Sequence, residues 1–77
     1  MPDKATTVKT IIANRIGVNY NAIRETQMFL TDLMIDPNDD QLLTDFQREW
    51  PTFSKPGYKN AKVTTVGEAV IYIINNT

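Results

Sequence analysis

Hydrophobic positions fall into three runs with helical spacing. Val8, Ile11, Ile12 and Ile16 recur at three- and four-residue intervals and place one apolar stripe on a first helix. Thr6 or Thr7 is the expected N-cap, since a hydroxyl accepts from the first free amides. Gly17 follows the last apolar position, where glycine takes a left-handed closing residue at least cost. Leu42, Leu43, Phe46 and Trp50 form a second stripe. Asp36, Pro37 and Asp39 read as its start: an N-cap, a proline at the first helical position, and a carboxylate near the positive end of the dipole. Pro51 disfavours helical geometry in Trp50 and ends that helix. Val66, Ala69, Val70 and Ile73, with Ile74 at the margin, form the third stripe. It opens on Thr65-Val66-Gly67-Glu68, a capping box. Asn75, Asn76 and Thr77 are expected to fray.

Between these runs the pattern is weaker. Val18–Met34 has apolar residues without a sustained period, so it reads as a long connection with one or two short helical turns, anchored by Ile23 and Phe29. Thr52–Asn60 reads as loop, with Pro56-Gly57 as a turn and any helix near Tyr58–Val63 short. The expectation is an all-α four-helix-type bundle, three main helices plus a short one, in a single domain over residues 1–77.

Composition narrows the chemistry. The 77 residues contain no cysteine and no histidine, and Ser54 is the one serine. A disulfide, a thiolate–metal site and a Ser-His-Asp or Cys-His nucleophile are all unavailable. No enzymatic activity and no catalytic residue are expected. Asp36, Asn38 and Asp40 match the first ligand positions of a calcium loop. Gln41 stands where that loop needs glycine and Gln47 where it needs a bidentate glutamate, so no metal site is expected. No apolar run approaches the ~20 residues of a membrane span. Nothing near Asp3-Lys4 resembles a secretory signal, and a cytoplasmic setting is the expectation.

Charge is unevenly distributed. From Glu25 to Glu49 seven acids face Arg48 alone, a balance of −6. The remainder carries seven bases against Asp3 and Glu68, a balance of +5. A one-sign surface attracts partners of the opposite sign, and an ordinary solvated helix face would look the same. The bases are scattered and the pI is about 5.1, which argues against nucleic acid. Trp50, Phe46, Phe53 and Tyr58 could line an apolar pocket, though aromatics ending a core stripe are more often core.

Five segments in order resemble the acyl carrier protein family. Val8-Lys9-Thr10-Ile11-Ile12 resembles its first helix, and Ile16-Gly17-Val18 the end of that helix. Phe29-Leu30-Thr31-Asp32-Leu33 resembles the stretch preceding its modification site, and Gln41 to Trp50 its second helix. Val63 to Ile73 is similar to the start of its last helix. The resemblance implies a carrier fold, a phosphopantetheine arm, and service in fatty-acid, polyketide or related biosynthesis. It also implies that partners dock on the acidic second helix, which assigns that role here to Asp36, Asp39, Asp40, Asp45 and Glu49. The departure is at the attachment point. The family carries Asp-Ser-Leu there, and this chain carries Asp36-Pro37-Asn38. Pro37 stands where the attachment serine is expected, so no cofactor is expected either. Two functions follow from the resemblance: a monomeric, armless module that binds a protein with a basic surface, or a carrier with an atypical or mutated attachment site. A structural subunit of a larger assembly is a third.

Overall fold

The computed structural model describes residues 3–77. α1 (Lys4–Ile16) is capped by Asp3, whose carboxylate accepts from the Thr6 amide at 2.7 Å. The cap is therefore Asp3 and not Thr6 or Thr7. Those threonines lie inside the helix, where Thr7 donates its hydroxyl to the Asp3 carbonyl and Thr10 donates to that of Thr6. An ionised Asp is as good a cap as Thr and sits one turn earlier, which explains the longer helix. Gly17 closes α1 in the left-handed region at φ 80°. Its amide and that of Val18 both donate to the Ala13 carbonyl. Val8, Ile12 and Ala13 are buried, while Ile11 and Ile16 pack at the margin.

The long connection holds one 3-10 turn, Tyr20–Ala22, and is pinned by Ile23 and Phe29 as expected. Its middle runs beside the start of α4 (Val66–Asn76). The carbonyls of Gln27 and Glu25 accept from Val66 and Gly67, and Thr64 accepts from Phe29. Two of the first amides of α4, which a helix cannot satisfy itself, are thus taken up by the connection. An added Cβ at Gly67 would meet the Glu25 carbonyl at 3.0 Å. The glycine lets the two backbones approach.

α2 spans Asp40–Glu49 and starts later than the sequence suggested. Asp36 begins a turn and does not cap the helix. Its carboxylate accepts from Asn38 at 2.8 Å and its carbonyl from Asp39 at 3.0 Å. Asp followed by Pro suits the first two places of a β-turn as well as it suits a helix start, and here the turn wins. Asp39 then caps α2 by accepting from Leu42 at 3.1 Å. The helix ends where Pro51 required, with Trp50 extended.

α3 is the short helix, Lys55–Asn60, and it corrects the loop reading of Pro56-Gly57. Ser54 caps it by accepting from Gly57, and Pro56 falls in the first turn, where its missing amide costs nothing. α4 carries the capping box that its sequence announced. It runs to Asn76, beyond the expected fraying point.

One core joins all four helices, with Val8, Ile12, Phe29, Leu42, Leu43, Phe46, Phe53, Tyr58, Val66 and Ile73 at its centre. Phe46, Phe53, Tyr58 and Tyr72 pack ring against ring at 5.3–6.0 Å, mostly edge-on. Trp50 leans on Phe46 at 6.1 Å. Of the aromatics proposed as a pocket lining, Phe46, Phe53 and Tyr58 therefore fill the core between α2, α3 and α4, and Trp50 packs at its edge. The described residues form an all-helical bundle of three longer helices and one short one. Its radius of gyration of 11.0 Å matches the roughly 11.5 Å of a compact chain of this length.

Candidate docking surface

The acids expected to receive a partner sit in three different settings. Asp36 is exposed at the turn before α2, and its neighbour Pro37 is buried. The place matched to the attachment serine thus has neither a nucleophilic atom nor an open approach. Asn38 beside it turns its side-chain oxygen inward, without a hydrogen-bond partner among the described residues. The hydroxyls of Ser54 and Thr44 are committed elsewhere. Ser54 caps α3, and Thr44 accepts from Lys55 at 3.0 Å.

Asp39 is bound within the chain. Arg15, at the end of α1, donates to its two oxygens at 2.8 and 3.2 Å. The Arg15 guanidinium holds the Asp39 carboxyl below the usual carboxylate range, and the Leu42 amide adds to this. The same pairing raises Arg15. Asp39 is at once a helix cap and half of a clamp between α1 and α2, which leaves it little to offer a partner. Nothing local marks Arg15 for this role. It lies 24 residues away, and only its place in the last turn of α1 hinted at a carbonyl or a charge nearby.

The remaining three acids divide around α2. At about 100° per residue, Asp40 lies about 140° from Asp45 and about 180° from Glu49. Asp40 faces α3, its side chain almost fully exposed and 4.0 Å from Lys59. Asp45 and Glu49, one turn apart, face α1 and line an open groove with Ile11, Asn14 and Arg48. Asp45 accepts from Gln41 at 3.0 Å and pairs with Arg48 at 3.6 Å, a bond that a 74 % exposed arginine can leave readily. Glu49 is exposed.

A second groove lies at the other end of the same α1–α2 boundary. Arg15, Ile16, Leu33, Met34, Ile35, Asp36 and Asp39 line it. Met34 is 83 % exposed on a left-handed backbone, φ 57°. That conformation is uncommon for a side chain with a Cβ, and it carries the thioether out of the core while Ile35 turns in. Met34 was read in the sequence as the end of a connection, and its exposure had no local signal.

No cluster of three metal-ligating side chains occurs among the described residues, and no helix there is long and apolar enough to cross a membrane. Compared with models of known protein families, the chain matches none.

Proposed function

We propose that the chain is an acyl-carrier-like module without an arm, and that it acts by binding a protein with a basic surface. The observation that carries this reading is a contrast between neighbours at the approach to α2. Pro37 is buried and chemically inert, while Asp36 before it stands exposed, as does Glu49 at the far end of α2. An approach kept acidic and accessible, but with no hydroxyl, suits recognition and not group transfer. The segments resembling the carrier family supply the rest of the reading, with the second helix as the contact element. Such a module occupies or regulates a partner that ordinarily meets a true carrier. It acts as a monomer in the cytoplasm and catalyses nothing.

The test is the intact mass of the protein after incubation with coenzyme A and a broad-specificity phosphopantetheinyl transferase. The expected outcome is an unchanged mass. A gain of about 340 Da, the mass of the arm, would establish the carrier reading and overturn this one.

A further inference from the structure

We propose that the partner presents a short amphipathic helix with a cation near each end, and that this helix lies along the α1–α2 seam, not across the whole acidic face of α2. The inference rests on the docking function proposed above and fixes where and how the partner sits.

The two grooves follow one another along one boundary. Ile11, Asn14, Asp45, Arg48 and Glu49 line the first, and Arg15, Ile16, Met34, Asp36 and Asp39 contribute to the second. Ile11 and Arg15 are one turn apart and share a flank of α1. The Arg15–Asp39 clamp lines the second groove and is neutral as a pair. What the seam offers is therefore graded along its length. Glu49 is exposed at one end and Asp36 at the other. The half-buried edge of Ile11 lines the groove with Glu49, and that of Ile16, with the projecting Met34, lines the groove with Asp36.

Charge complementarity selects the occupant. Arg15 is answered by Asp39 and Arg48 by Asp45, so the acids left without a cation along the seam are Asp36 and Glu49. A partner with a cation at each end and apolar residues between meets Asp36 and Glu49 and covers Ile11 and Met34. The α2 helix sets the scale. Ten residues rise about 15 Å, and Asp36 lies beyond its start, so the cations should be roughly 15–20 Å apart. A helix of three to four turns has that reach, and helices with such apolar anchors dock in grooves generally. Asp40, on the opposite flank beside Lys59, takes no part.

The probe is a synthetic helical peptide of about fourteen residues, with one lysine near each end and two leucines on the same face between them. Amide shifts of the labelled protein are followed as it is added. The expected result is a single saturable process that moves Ile11, Asn14, Ile16, Met34, Asp36, Asp45 and Glu49. Glu49→Lys weakens it about tenfold, and Asp36→Lys does so to a similar degree. Asp40→Lys, the same charge change on the opposite flank, stays within about twofold. Asp36 also holds its turn, so the Glu49 variant, at an exposed position, decides the matter if Asp36→Lys disturbs folding. Shifts centred on Asp40 and Lys59, or an equal loss with Asp40→Lys, would overturn the seam and leave acidic docking standing. No saturable binding at all would overturn both.

Discussion

At the residue scale, the side chains that decide this molecule are those with two duties. Asp39 caps α2 and clamps Arg15. Asp39→Ala removes both, and the cap alone is worth about 1 kcal/mol, with little added by a surface ion pair. A urea melt of that variant should show a lower midpoint with unchanged slope. Glu68 accepts from the Thr64 hydroxyl at 2.6 Å and from the Thr64 and Thr65 amides at 2.9 and 3.0 Å. Those bonds, the Thr64 hydroxyl foremost, hold its carboxyl below the usual range. Both carboxylates are thus depressed in the folded state, and folding favours their charged forms. Their contribution is whole above the unfolded values of about 3.9 for Asp and 4.3 for Glu, and it disappears as pH falls through the lower folded values. Stability measured from pH 7 downward should fall below about pH 4, and a double variant, Asp39→Asn with Glu68→Gln, should flatten that limb. Tyr58 poses the opposite case. It is fully buried, burial pushes its hydroxyl up, and that hydroxyl has no partner among the described residues. Tyr58→Phe keeps the ring in its aromatic cluster and deletes the unpaired group. It should be neutral or stabilising by about 1 kcal/mol, and a clear loss of stability would mean that the hydroxyl is bonded in solution.

At the element scale, α4 depends on a segment far from it in sequence. Its first turn is completed by carbonyls of the connection, and Gly67 allows the contact. Gly67→Ala sets a methyl against the Glu25 carbonyl, and backbone cannot step aside as a flexible side chain would. The expected cost is about 1–3 kcal/mol, although alanine favours a helix elsewhere. Hydrogen exchange at Val66 and Gly67 should report the loosened start. These elements also show how far the sequence could be read. The stripes of α1, α2 and α4 were legible because three or four apolar residues at helical spacing leave little alternative. So were Gly17, Pro51 and the Thr65–Glu68 box, where the backbone geometry is local. The start of α2 was not. Asp-Pro-Asn-Asp satisfies both a helix start and a turn, and the choice is made by Asp39 finding Leu42 on one side and Arg15 on the other. The start of α3 was missed for a similar reason: Pro56-Gly57 marks turns, yet proline is equally at home in a first helical turn when Ser54 precedes it. Glycine there serves packing. An added Cβ at Gly57 would lie 2.7 Å from the Tyr72 hydroxyl.

At the scale of the whole molecule, the acids counted along the chain do not make one face. The sequence placed Asp36, Asp39, Asp40, Asp45 and Glu49 along α2 and its approach, and that much is how they lie. Their separation around the helix axis follows from the turn of about 100° per residue, and Arg48 answers Asp45 within α2, whereas the Arg15 that answers Asp39 arises only from packing α1 against α2. A net charge of −1 thus conceals an acidic seam on one side and, near Asp40, the Lys59 of α3 on the other. Steering by such a surface reaches about one Debye length and weakens with salt.

The claim that the acids of α2 and its approach exist to be met by a basic partner is tested most directly by ionic strength. The lysine-ended peptide should bind roughly tenfold more weakly in about 0.3 M salt than in about 0.02 M, while a copy with glutamates in place of the lysines fails to bind at either. Equal affinity at both ionic strengths, or equal binding of the glutamate peptide, would contradict the account.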